Sequence, residues 1–155
     1  MEKVRTTIRA KMKALKPQTT AEGTALTKAL SAMREEWNFP PLIDLQWLVK
    51  SWYRFVREIK AGYDSHPVDY VHFLDLRDEL DRLSATLPDR MQRAIAEVLR
   101  PADEEYLLIT DTTDEPLLPP DESEHLHERW YRLPKLLKGE FLEAWHRPKR
   151  DGGGT

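Results

Sequence analysis

The sequence predicts an all-α protein: a single compact bundle of five to six helices, with an acidic, proline-rich loop and a short C-terminal helix. Three observations carry this expectation. Between Leu42 and Lys60 the residues Leu42, Leu45, Val49, Trp52, Val56 and Ile59 recur at steps of three and four. At about 100° per residue such steps gather on one side of a helix, and Leu48 and Phe55 widen the stripe to an arc of roughly 150°, enough to face several neighbours. The run LVKSWYRFV does not alternate apolar and polar residues, which argues against a half-buried strand there. Comparable helical steps recur on either side of this stretch, divided by breaks at Pro17, Pro40-Pro41, Gly62 and Pro88.

Residues 2–16 read as a short amphipathic helix, with Val4, Ile8, Met12 and Leu15 on one side and a basic opposite side; Pro17 stops it. Thr19-Thr20-Ala21-Glu22 has the form of a capping box, in which hydroxyl and carboxylate satisfy backbone donors reciprocally. It opens a helix to about Trp37, with Leu26, Leu30, Met33 and Trp37 at helical steps. Pro40 and Pro41 suit the start of the central helix and Gly62 its end. Asp44, Lys50, Ser51, Arg54, Arg57 and Glu58 fall on its polar side, and Trp47 projects there with them.

A fourth helix is expected from Ser65–Pro67 to about Ser84, with core positions Phe73, Leu76, Leu80, Leu83 and Leu87. Its outer face is acidic (Asp69, Asp75, Asp78, Glu79, Asp81), with Arg82 one turn from Asp78. Pro88 suits the first turn of a fifth helix lined by Met91, Ala94, Ile95, Val98 and Leu99, and Pro101 should end or kink it near Leu99. Residues 103–110 either resume the helix or form a short strand at Tyr106–Thr110. Residues 111–121 read as an irregular loop of polyproline character. Trp130–Pro134 reads as extended and is followed by the short helix to about Trp145. Residues 1–147 are expected to form one domain, on which the basic helix 1–16 either packs or hangs loosely; 148–155 read as a disordered tail.

At 155 residues the chain has room for one domain with a real core. No apolar run is long enough for a bilayer, and the basic N-terminus lacks the apolar segment of a secretory signal. A cytoplasmic protein with no membrane attachment is therefore expected. The absence of cysteine excludes a disulfide framework, a thiol nucleophile and cysteine zinc sites. The net charge of −3 conceals segregation along the chain. Lys3, Arg5, Arg9, Lys11, Lys13 and Lys16 open it, no Lys or Arg occurs from Pro101 to Glu128 among ten acidic residues, and Arg129 to Arg150 is basic again. Such asymmetry either steers partners or is satisfied internally, the acidic segment lying across the two basic ends.

Chemistry has few footholds. His125 and His127 form an HxH pair among Asp121, Glu122, Glu124 and Glu128, a donor set suited to zinc or nickel, but no third ligand stands at a diagnostic spacing. His72, with Asp69 and Asp75 three residues to either side, has the form of an oriented general base or of a surface histidine bonded to a carboxylate. No serine sits in a nucleophile elbow, and no zinc-protease, calcium-loop, phosphate-loop or dinucleotide signature is present. No cofactor, metal or catalytic residue is expected.

The Trp- and Arg-rich central helix is followed by Ala61-Gly62-Tyr63-Asp64, Asp69-Tyr70, Arg77-Asp78, a Leu-Pro turn and a helix interrupted by Pro101. Together with Trp130-Tyr131-Arg132-Leu133-Pro134, this order resembles small helical proteins common in actinobacteria, over roughly Leu45 to Pro134. The resemblance implies no catalytic residue. In scale and character the chain is also similar to bacterial immunity proteins, which neutralise a toxin by binding it. Such inhibitors need a stable scaffold, a charged surface and aromatic anchors. The expectation is a non-enzymatic module for one basic protein partner, such as a cationic nuclease toxin, contacted through Trp47, Arg54, Tyr63, Tyr70, Asp75, Asp78, Trp130 and Tyr131. The alternative is a nucleic-acid-associated protein using residues 1–16 and 129–150; a metal-dependent enzyme at the HxH loop stands third. Oligomeric state is not legible.

Overall fold

A computed structural model describes residues 2–38, 43–114, 128–139 and 141. Among them are five α-helices: α1 (Glu2–Lys13), α2 (Thr20–Trp37), α3 (Leu45–Gly62), α4 (Pro67–Ala85) and α5 (Asp89–Leu108). Two short strands follow, β1 (Thr110–Thr112) and β2 (Arg132–Pro134), the second entered through a 3-10 turn at Glu128–Tyr131. The described residues are thus mostly helical, as an all-α fold requires, with one small two-stranded sheet added to it. The strands pair antiparallel, Thr110 opposite Pro134 and Thr112 opposite Arg132. Of the two readings of residues 103–110, the resumed helix is the one found: α5 runs on to Leu108, and β1 begins only at Thr110. Pro101 does not end that helix, although its missing N–H removes a bond to the Glu97 carbonyl. The HxH pair, most of the proline-rich loop and most of the C-terminal helix expected from sequence lie outside the described residues.

Helix ends follow local chemistry. Thr19 Oγ1 accepts the Glu22 backbone N–H at 3.1 Å, while the Glu22 carboxylate reaches back to the Gln18 N–H at 2.8 Å. α2 closes at Asn38, whose left-handed conformation (φ 54°) lets its N–H reach the Arg34 carbonyl. Asp44 is a cap: its Oδ1 accepts the Trp47 backbone N–H at 2.8 Å. α3 ends at Gly62, with φ at +108° where other residues are strained.

The chain divides into two compact units, Met1–Tyr53 with Leu76–Glu104 and Arg54–Asp75 with Glu105–Thr155. In the first, the core gathers Leu15, Leu30, Met33, Leu45, Leu48, Trp52, Leu80, Met91, Ile95 and Val98. Arg90 ties the α1–α2 connection to α5, donating to both Glu22 oxygens at 2.7 Å and to the carbonyls of Ala14 and Lys16. Glu79, expected on an acidic outer face, is buried; it accepts the Trp37 indole N–H and pairs with Arg82 at 3.0 Å. Ser51, expected on the polar side of α3, is buried too.

The core of the second unit is aromatic. Phe55, Tyr63, Tyr70 and Phe141 are buried with ring centroids 5.1–5.6 Å apart, mostly edge to face, and Phe55 stacks on Phe73 at 4.7 Å. The Tyr70 and Tyr106 hydroxyls lie 2.9 Å apart, and Tyr106 donates to the Arg129 carbonyl at 2.9 Å. Tyr106 has one proton, so Tyr70 is the donor between them, with the Arg132 carbonyl at 3.2 Å as a weaker second acceptor.

Candidate functional site

The eight residues expected to contact a partner separate by burial. Trp47 is 41% exposed and Arg54 is exposed, while Asp75, Asp78 and Tyr131 are half-buried. Tyr63, Tyr70 and Trp130 are core residues, at most 2% exposed, and are withdrawn as contact residues. The reason is that the second unit builds its interior from rings: Tyr63 and Tyr70 pack on Phe55 and Phe141 rather than face water.

The acidic surface is narrower than its sequence suggests. Asp103 accepts the Arg77 guanidinium through two bonds, at 3.1 and 2.7 Å, and the Trp52 indole N–H at 2.8 Å. Asp81 takes a third arm of Arg77 at 2.6 Å, and Arg77 lies 5.9 Å from the centre of the Trp52 ring. The Asp81 and Asp103 contacts hold the Arg77 pKa above its ordinary value despite burial. These groups fix α3, α4 and α5 to one another within the first unit. The basic C-terminal segment is also engaged: Arg129 is buried, Arg132 donates to Thr110 and the Leu107 carbonyl, and Lys138 donates to the Ala61 carbonyl. Residues 129–138 therefore offer less free positive charge than their sequence does.

Two grooves of the first unit lie along α1 and differ in how their charges are partnered. The groove toward α5, about 710 Å³, is lined by Ala10, Ala14, Ala94 and four cations, of which three are satisfied. Arg90 holds Glu22, Arg100 pairs with Glu97 at 2.6 Å, and Lys11 lies 4.0 Å from Glu97. The groove toward the start of α3, about 430 Å³, has half-buried Ile8 and Met12 as its apolar lining, with Gln46 beside them. Around these stand Arg9, Lys13, Lys16 and Lys50, all exposed and none ion-paired with a carboxylate among the described residues. Trp47 follows Gln46 and precedes Lys50 by one turn, so it flanks the α3 wall of this groove. The signal in sequence was the doubled spacing Ile8/Met12 and Arg9/Lys13; the contribution of Gln46 and Lys50 was invisible there.

Among the described residues no group of three or more His, Asp or Glu is placed to hold a metal. His72 is exposed on α4. No described helix is long and apolar enough to cross a membrane. No family model, curated protein or solved structure matches the chain.

Proposed function

We propose that the chain is a non-enzymatic protein-binding module that contacts its partner through the surface around Trp47 and the α1–α3 groove. The observation that carries this reading is Trp47 itself, a large aromatic left 41% exposed on a helix start held by the Asp44 cap. Tryptophan and arginine dominate the energetics of protein interfaces, and the exposed Arg9, Lys13, Lys16 and Lys50 of the groove, none ion-paired with a carboxylate among the described residues, supply charge for steering. The helical scaffold and its internally satisfied polar clusters fit a part whose task is to hold a surface still.

The immunity-type reading is a special case of this module. It draws on the half-buried Asp75 and Asp78, but both already interact within the chain and Glu79, Asp81 and Asp103 hold internal partners, so a face for a basic nuclease is reduced. The sign of the open groove favours an acidic partner. A nucleic-acid role draws on the same four cations, without an aromatic lining the groove itself on which bases could stack.

The test is recovery of complexes from the native cell with the tagged full chain. A protein partner retained after nuclease treatment, lost in Trp47→Ala and kept in His72→Ala, is the expected result. A confirmed complex indifferent to Trp47→Ala, or one that dissolves on nuclease treatment, would remove the reading.

A further inference from the structure

Resting on the protein-binding reading, we infer that the α1–α3 groove receives an acidic amphipathic helix of the partner. Ile8 and Met12 provide an apolar strip one helical turn long, and Met in particular adapts its shape to what it meets. Arg9 and Lys13 border that strip on α1, Lys16 lies just beyond the helix, and Lys50 closes the opposite side on α3. An apolar strip bordered by cations is the complement of a helix with leucine-type residues on one face and carboxylates flanking them. A volume of about 430 Å³ lies within the roughly 300–1,000 Å³ of defined sites. The contrast with the groove toward α5 decides between the two. There Arg90, Arg100 and Lys11 already have carboxylates, leaving Arg93 alone without one among the described residues, so an acidic ligand would have to displace most of them; here no described carboxylate pairs with any of the four. Nucleic acid is disfavoured because the lining is aliphatic and the cations border a short pocket instead of tracking a strand.

The probe is a synthetic peptide of about 15 residues, roughly four helical turns, with leucines at i, i+3, i+4 and i+7 steps and glutamates elsewhere. Titrated with the full chain, it should bind saturably and more weakly as salt is raised. Lys13→Glu combined with Lys50→Glu should weaken it about tenfold or more, with unchanged thermal unfolding because both side chains are exposed. The same peptide with lysine in place of glutamate should not bind. Equal binding of the two peptides, indifference to the charge reversals, or displacement of the acidic peptide by a single-stranded oligonucleotide of similar length would overturn the inference. If a nuclease-resistant complex dependent on Trp47 survives the double reversal, the groove assignment falls and the protein-binding reading stands. If no such complex exists, that broader reading falls whatever the peptide does.

Discussion

Replacing Arg77 with methionine tests whether the Trp52–Arg77–Asp103 cluster holds the first unit together. Methionine preserves most of the volume, so the effect isolates the guanidinium. The change removes two bonds to Asp103 and one to Asp81. It leaves the Asp103 carboxylate with the Trp52 N–H. Breaking a fully buried pair from one side costs about 3–5 kcal/mol. Here Arg77 is 7% exposed but Asp103 is 33% exposed, so water recovers part of that loss. Asp81, half in water, adds no more than about 1 kcal/mol. The expected cost is about 2–4 kcal/mol, which at a urea slope of about 2 kcal/mol/M lowers the unfolding midpoint by about 1–2 M. Asp103→Leu should be less harmful in the Arg77→Met background than in the wild type, with a coupling of at least about 1.5 kcal/mol. A midpoint shift below about 0.3 M, or additive single changes, would show that the cluster is decoration on a core held by apolar packing.

Other consequences follow from the same bonds. The Arg90 guanidinium and the Gln18 N–H pull the Glu22 carboxyl from 4.5 down to about 2. Its folded-state pKa lies below the unfolded one, so its stabilisation is full above about pH 5 and is lost as pH falls toward 2. Thermal melts across that window should show a shallower acid decline for Glu22→Gln. At the alkaline end, burial raises Tyr53 and Tyr106 to about 12 and lifts Tyr70 well above the ordinary tyrosine value. That contribution is complete below about pH 10 and lost as pH rises toward 12, so the folded chain should show less tyrosinate absorbance near pH 11 than the urea-unfolded chain. Tyr106→Phe should cost about 1–3 kcal/mol because it removes the donor to Arg129 and the acceptor for Tyr70. Tyr70→Phe, which leaves the Arg129 bond intact, should cost about 0.5–1.5 kcal/mol; urea midpoints in the reverse order would refute the proton assignment. Gly62→Ala should lower stability by about 1 kcal/mol or more, since its φ of +108° disfavours a side chain and Lys138 Cε would stand 2.5 Å from the new Cβ.

The helices were legible where one stripe runs the length of an element. On α3 the steps from Leu45 to Ile59 placed Trp52 and Phe55 inside, and both are buried. α4 resisted the same method. In the second unit it buries Tyr70 and Leu74; in the first it buries Leu76, Arg77, Glu79, Leu80 and Leu83. No single stripe joins these sets, so the expected one, running through Phe73, missed Tyr70 and Leu74. Arg77 and Glu79 were hidden for a different reason. Burial of a charge depends on a partner distant in sequence, Asp103 in one case and the Trp37 indole in the other, and local spacing is blind to it. The same blindness made Tyr63, Tyr70 and Trp130 look like spare anchors, because an aromatic among charged residues reads as exposed until what packs on it is known. Of the sheet only the extended run containing β2 was legible; β1 at Thr110–Thr112 and the pairing were not, because three-residue strands are too short to show a period.

Net charge along the chain is a poor guide to charge in space, and α1 gives the reason. Arg9 and Lys13, four residues apart, lie within about 40° of each other around the helix, while Lys11 is turned about 160° from both. Lys11 consequently meets Glu97 on α5, and Arg9 and Lys13 meet no described carboxylate. The basic N-terminus is partly neutralised on one side and left charged on the other by helical phase alone. Moving one cation across the helix, with Lys13→Ala and Ala10→Lys together, keeps the net charge of −3 but carries it from the α3 groove to the α5 groove, which Ala10 lines. If placement governs attraction, the acidic peptide should bind this variant as weakly as Lys13→Ala alone, and raised salt should weaken it less than it weakens the wild type. Binding equal to the wild type would mean that the summed field of the N-terminal cations, and not the groove, draws the ligand.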